Sequence, residues 1–351
     1  MKRRKFLTNS TLTAVSFSLI PRKVVSTNFP LIKPPHLQPG DGVGIISPAG
    51  ATFKEDDLNI VIEAVKALKL VPKVGEYALD RYGYLAGKDR ERASDINNFF
   101  ADDTIALILP IRGGWGSSRL LPYLDYDLIR RHPKIICGFS DITSLLLAIY
   151  AKTGLVTFHA PNGFSSWRTA QTESFRRVLF SGEKLTFRNL PDPDDASRLM
   201  QVKNRIQTIT KGQAKGKLIG GNLTTLASIV GSPYLPDFTG AILFLEDIGE
   251  DVYEIDRLLN QLKLAGIFDN LAGFIFGQCS NCSANSEYGS LTLEEVIREY
   301  IQPLKIPACL GLTIGHLEII ETIPIGIAVE FDANQGTITM LESAVSKPQN
   351  S

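Results

Sequence analysis

The run Thr104-Ile-Ala-Leu-Ile-Leu-Pro110 is apolar without alternation, so it has to be buried on both faces. A strand of that kind belongs in a parallel sheet covered by helices, and the flanking sequence supplies them. Asp41-Gly-Val-Gly-Ile-Ile-Ser-Pro-Ala-Gly50 predicts a strand closing in a small-residue turn. A helix over 56–70 follows, with Leu58, Ile62, Val65 and Leu68 on one face. Residues 70–74 predict a second strand, 87–100 a polar helix opening near Lys88-Asp89, and 155–159 another strand. Strand–helix alternation to about residue 165 predicts an α/β fold, a doubly wound parallel sheet over 40–165. In such sheets the site lies at the carboxyl ends of the strands.

One of those ends stands out. Ile135-Ile-Cys137 has the length and branching of a buried strand, Gly138-Phe-Ser-Asp141 breaks it, and Ile142, Leu145, Leu146 and Ile149 then recur at helical spacing. A serine on a sharp strand-to-helix turn has its hydroxyl exposed beside the helix N-terminus, the logic of a nucleophile elbow. The G-x-S-x-G string is incomplete, because Ile142 replaces the second glycine. On this stretch alone, Ser140 as a simple helix cap, with Asp141 adding first-turn charge, is the stronger reading, and the rest of the chain reverses it. The turn Arg112-Gly-Gly-Trp-Gly116 follows the apolar strand, and its amides suit an oxyanion. Read blandly, it is a tight turn. The glycines near Gly42 do not form G-x-G-x-x-G, which argues against a dinucleotide site.

Beyond residue 165 the rhythm stops. Residues 166–210 read as a crossing with an acidic turn at Pro191-Asp-Pro-Asp-Asp-Ala196. Residues 211–345 read as a mixed α+β, barrel-like domain. It has Gly216-Lys-Leu-Ile-Gly-Gly-Asn222 before a helix, the strand Ala241-Ile-Leu-Phe-Leu-Glu-Asp247 before another, and a hairpin from 323–331 and 335–340.

The N-terminus is of another kind. Lys2-Arg-Arg-Lys-Phe-Leu7 and the short apolar run 12–20 predict an export signal of the twin-arginine type over 1–26, with a proline-rich linker over 27–39. Cleavage and retention both stay open. Residues 1–26 hold six basic residues and no acidic ones, which leaves 31 basic against 37 acidic in the remainder. No basic patch suggests nucleic-acid binding. Cys279-Ser-Asn-Cys282 has no second pair to complete a zinc site; a disulfide after export and two inert thiols are both open.

A serine nucleophile needs a base and an acid that orients it. The chain has four histidines. His36 lies in the linker and His132 in a loop, so His159 at a strand end and His316 after Gly315 are the candidate bases. Glu246 ends a buried strand, where a carboxylate needs a partner, and Asp247 is its rival.

The ordered set Gly44-Ile-Ile-Ser-Pro-Ala49, Arg112-Gly-Gly-Trp-Gly116, Gly138-Phe-Ser-Asp141, Phe158-His159, Gly220-Gly-Asn-Leu223, Leu245-Glu-Asp247, Tyr253-x-Ile-Asp-Arg257 and Gly315-His316 resembles the LD-carboxypeptidase family of serine peptidases. That family includes murein tetrapeptide carboxypeptidases and microcin C immunity peptidases. The resemblance spans about 38–340. It implies a catalytic triad of Ser140, Glu246 and His316, with oxyanion amides from Asp141 and a glycine of the turn, Gly114 in preference to Gly113. It also implies a homodimer without metal or cofactor. Arg112, Trp115 and Asn222 are the expected substrate contacts, Arg112 for a terminal carboxylate. His159 matches the family's strand-end motif but not its base, and Ala160 departs from the glycine common there.

The expected activity is release of terminal D-alanine from peptidoglycan tetrapeptides in an exported enzyme, cytoplasmic if the signal is unused. The alternative is an immunity-type peptidase acting on aminoacyl-nucleotide toxins, with Trp167 or Tyr288 as the base platform. A remote alternative is a wall-peptide binding protein without catalysis.

Overall fold

The computed structural model describes residues 29–189, 195, 198–284 and 289–347. The signal reading of 1–26, most of the acidic turn and Tyr288 lie outside the described residues.

The N-terminal half runs β1 (Gly42–Ile46), α1 (Glu55–Ala67), β2 (Val71–Val74), α2 (Asp89–Ala101), β3 (Ile105–Pro110), α3 (Tyr126–Arg131), β4 (Ile135–Gly138), α4 (Thr143–Thr153) and β5 (Thr157–His159). The stretch read as a crossing contains α5 (Thr169–Leu179), β6 (Thr186–Phe187) and β7 (Gln207–Thr210). The C-terminal half runs β8 (Gln213–Asn222), α6 (Leu223–Ser228), β9 (Ile242–Ile248), α7 (Val252–Leu264), β10 (Gly273–Ser280), α8 (Leu293–Ile301), β11 (Ala308–Leu310), β12 (Ile323–Ile325), β13 (Ala328–Asp332) and β14 (Thr337–Met340).

The first sheet has the order β12-β5-β4-β3-β1-β2. Its members are parallel except β12, which pairs antiparallel with β5. Ile105, Leu107, Ile108 and Leu109 of β3 are buried in the middle of this sheet, as their unbroken apolar run requires. The chain order places β2 on one side of β1 and β3, β4, β5 on the other. The switch point of the doubly wound sheet therefore falls between β1 and β3. There the two strand ends are tied by the Gly50 N–H donating to the Gly113 carbonyl at 3.3 Å.

The second sheet is mixed, with the order β6-β14-β13-β8-β9-β10-β11-β7, and it curls as a half-barrel. Its centre, β8-β9-β10-β11, is parallel and carries Leu243, Phe244, Leu245, Phe274, Ile275 and Phe276, all buried. The hairpin expected from 323–331 and 335–340 is corrected. The chain breaks at Gly326, β12 joins the first sheet, and only β13 and β14 pair as a hairpin in the second. The first sheet is thus closed by a strand from the far end of the chain: β12 begins seven residues after His316, and its Ile323 pairs with His159 at the sheet edge.

Candidate active site

Residues 140–142 form a single turn of 3-10 helix between β4 and α4, and Ser140 sits at φ +65. That left-handed backbone is costly for a residue with a β-carbon and persists only where surroundings impose it. The surroundings are identifiable. Asn162 Oδ1 accepts from the Phe139 N–H at 3.3 Å, and the Asp141 carboxylate accepts from the Ser117 N–H at 2.8 Å. The Ser117 hydroxyl donates to the Asp141 carbonyl and lies 2.7 Å from the Ser144 hydroxyl. Burial lifts the Asp141 carboxyl above its ordinary range, against the pull of the Ser117 N–H. Ser140 is the first residue of that turn and not a cap; the cap positions of the turn and of α4 fall to Phe139 and Ile142.

The Arg112–Gly116 strap passes directly over this serine. A β-carbon built on Gly113 would lie 2.9 Å from Ser140 Cβ and 3.1 Å from its Oγ, so no side chain fits there. The Gly113 carbonyl faces the Gly50 N–H, and in a trans peptide the following N–H points the opposite way. This turns the Gly114 amide away from the β1 end. Beneath the strap lies Arg92 of α2, which is 1% exposed. Its guanidinium donates to the Pro48 carbonyl, to the Gly116 carbonyl at 3.1 Å and to Asp89 at 2.7 Å. Burial pulls its pKa down while the Asp89 carboxylate opposes the fall.

The candidate acid and base come from the C-terminal half, Glu246 on β9 and His316 in the loop after β11. Successive residues of β9 face opposite ways, and this resolves the rivalry between Glu246 and Asp247. Asp247 accepts from Asn222 Nδ2 at 2.9 Å, from the Thr224 N–H and hydroxyl at 2.9 and 2.8 Å, and from the Ile248 N–H. Glu246, fully buried, points to His316, with Oε2 2.8 Å from Nδ1. A carboxylate only accepts, so Nδ1 carries the proton and Nε2 keeps a free lone pair. Gly315, at φ +132, lets the chain pass the acid at close range.

Ser140 and His316 line one cleft of about 410 Å³, together with Arg112, Gly113, Gly114, Phe139 and Glu318. Trp115 projects to solvent beside it, 67% exposed. Asn222 does not line it. That side chain is buried, caps α6 through the Thr225 N–H at 3.0 Å and holds Asp247. Trp167 is likewise turned away, with Nε1 donating to the Gly163 carbonyl at 2.8 Å and its ring edge-on to Phe175. His159 is 1% exposed, and burial, helped by the charge of His316, pulls its pKa down to about 3. The Cys279–Cys282 pair forms a disulfide.

Sequence reasoning missed how the loop after His316 is fastened. The Ser166 hydroxyl donates to the Glu318 carbonyl at 3.0 Å, and Arg168 pairs with the Glu318 carboxylate. Gln171 Oε1 accepts from the Ile320 N–H at 3.2 Å, and Ser174 Oγ from the Thr322 N–H at 3.1 Å. All four residues belong to 166–174, a stretch whose polar composition carries no signal of burial.

The sequence profile of the LD-carboxypeptidase N-terminal domain matches residues 43–160, and that of the C-terminal domain matches 215–331. The chain belongs to the LD-carboxypeptidase family. A Bacillus subtilis (strain 168) member named "Probable murein peptide carboxypeptidase" is 36% identical over 92% of this chain and 98% of its own length. The microcin C7 self-immunity protein MccF of Escherichia coli is 32% identical over 90% of this chain and 97% of its own. The apo structure of MccF superposes with a TM-score of 0.80 at 30% identity, covering 90% of this chain and 100% of that one. MccF has also been solved with aspartyl sulfamoyl adenosine. The muramoyltetrapeptide carboxypeptidase of Oxalobacter formigenes superposes with a TM-score of 0.73 at 26% identity, over 88% and 100%. Among LD-carboxypeptidases this chain thus resembles wall-peptide and immunity members alike, in an α/β sheet joined to a curled mixed sheet.

Proposed function

We propose that this LD-carboxypeptidase releases the terminal D-alanine of peptidoglycan tetrapeptides by hydrolysing the L-to-D peptide bond, with Ser140 as nucleophile, His316 as general base and Glu246 as its orienting acid. The observation that carries the reading is the 2.8 Å contact between His316 Nδ1 and Glu246 Oε2, which leaves Nε2 free in the cleft that Ser140 lines. His316 Nε2 takes the Ser140 proton as Oγ attacks the carbonyl carbon. The amides of Asp141 and Gly114 receive the developing oxyanion. The tetrahedral species collapses when the same imidazole returns the proton to the leaving amine. Water then repeats the sequence on the acyl-serine, and the acid product leaves. Arg112, exposed at the cleft, is the cation we assign to the substrate's terminal carboxylate, with Trp115 at the rim.

Residues 1–26 are read as a twin-arginine export signal on the Arg3-Arg4-x-Phe6-Leu7 pattern. The Cys279–Cys282 disulfide suits the oxidising compartment such a signal leads to. The mature enzyme is read as a homodimer by resemblance to its family. Among the described residues no helix is long and apolar enough to cross a membrane.

The test is mass spectrometry of residues 27–351 incubated with L-Ala-γ-D-Glu-meso-diaminopimelate-D-Ala, alongside Ser140→Ala. Loss of one alanine by the wild type alone supports the reading, and an intact tetrapeptide overturns it. The TM-score of 0.80 to MccF favours aspartyl sulfamoyl adenosine as the second substrate in the same assay. Retained binding without turnover of either substrate would instead indicate a wall-peptide binder.

A further inference from the structure

His159 and Glu246 share an unusual condition. His159 Nδ1, His159 Nε2 and Glu246 Oε1 are all buried and find no hydrogen-bond partner among the described protein groups. Both residues flank His316. Glu246 bonds to it through Oε2, and His159 lies near enough to feel its charge. They also share one aromatic wall. The Phe139 ring is centred 5.0 Å from the His316 ring and 6.3 Å from that of His159. Phe244, two residues before Glu246 on β9 and therefore on the same face, meets the His159 ring edge-on at 5.6 Å.

Resting on the triad reading, we propose that His159 is a positioning residue, linked by one ordered water to Glu246 Oε1 and so fixing the plane of the acid that orients His316. A neutral imidazole offers one N–H and one lone pair, and a carboxylate oxygen needs a donor. A water between them accepts from or donates to one ring nitrogen and donates to Oε1, which satisfies two of the three atoms that native proteins rarely leave alone. A residue that only filled space between Phe139 and Phe244 would gain nothing from two ring nitrogens. His159 does not compete as base, because burial first, and then the nearby His316, pull its pKa down to about 3 and keep it uncharged. The charged and titratable groups around it are Glu246 on β9 and His316 on its loop. Asp141, after β4, is tied to Ser117, and Asp247 is turned toward Asn222 and Thr224.

The experiment does not depend on the natural substrate. A crystal structure of the wild-type protein at atomic resolution should place a water within hydrogen-bond distance of both Glu246 Oε1 and a His159 nitrogen. In parallel, the pH profile of Ser140 phosphonylation by a fluorophosphonate is measured for wild type, His159→Phe and His159→Gln. His159→Phe should react roughly tenfold more slowly, the scale of one net hydrogen bond, with a displaced acid limb. His159→Gln, able to hold the water, should recover most of the rate. A wild-type site without that water overturns the proposal, even if a variant misfolds. So does a His159→Phe enzyme with the wild-type rate and profile. Failure of the tetrapeptide assay with normal phosphonylation would instead touch only the substrate reading.

Discussion

Gly315 stands so close to Glu246 that a β-carbon at 315 would lie 2.9 Å from the acid's Oε2 and 3.1 Å from its Cβ. The glycine before His316 is therefore a spacing element for the His316–Glu246 contact as well as a turn. Gly315→Ala should displace either the Glu246 carboxylate or the His316 backbone. Steady-state kinetics should show kcat/KM falling by about a hundredfold, the cost typical of an ångström-scale misplacement. The backbone at φ +132 adds about 1–3 kcal/mol of strain in the alanine variant, readable as a lower urea midpoint.

Glu246→Gln isolates the charge of the acid from its shape. An amide oxygen can still accept from Nδ1–H, but a flipped amide would favour the wrong tautomer. A kcat loss of about 10⁴-fold is expected, the scale seen when a triad carboxylate becomes an amide. Because triad members act as a unit, Ser140→Ala/Glu246→Gln should be no slower than Ser140→Ala alone. An additive loss in the double variant would separate Glu246 from the function of Ser140.

The triad candidates could be read from sequence because each ends a strand or follows a glycine, and because only four histidines compete. The residues by themselves left Glu246 and Asp247 as rivals and the family resemblance chose Glu246; the register of β9 adds the geometric reason, since Asn222 pairs opposite Glu246 and Asp247 turns to Asn222's side chain. The fasteners of the His316 loop were invisible for a different reason. Gln171 and Ser174 find their partners at Ile320 and Thr322, about 150 positions away, as the separations of 149 and 148 show. Local composition reads such residues as a solvated helix face. Arg92 is the same case, a charge on a polar helix whose burial depends on carbonyls of two distant loops. The strand β12 was misread because an apolar run of branched residues does not reveal which of two sheets receives it.

Arg92 gives a stability prediction from this long-range pairing. Replacing it by leucine removes the donor from the Pro48 and Gly116 carbonyls and leaves Asp89 with Arg119 alone. Asp89 stays paired with Arg119, so the cost is that of the orphaned carbonyls, about 1–3 kcal/mol. Urea unfolding of Arg92→Leu should show a loss of that order. Activity should fall too, since the Gly116 end of the strap is then free and the amides proposed for the oxyanion lose their frame. Wild-type kinetics in a destabilised Arg92→Leu protein would confine the residue to folding.

Glu250 makes the last prediction, on pH. Burial, then the charge of Asp247, and a hydrogen bond with Glu254 raise its carboxyl from 4.5 to about 7. A raised folded-state value means that the folded protein holds a proton the unfolded chain has released. The resulting stability is fully present below about 4.5 and is lost as pH rises through about 7. Glu250→Gln keeps a donor for Glu254 without the titration. Thermal unfolding followed from pH 4.5 to 8 should show wild type losing ground to this variant across that window, modestly, because solvent still reaches and screens this half-buried group. Parallel curves for the two proteins would mean that Glu250 titrates as an ordinary carboxylate and that the contact with Glu254 does not hold its proton.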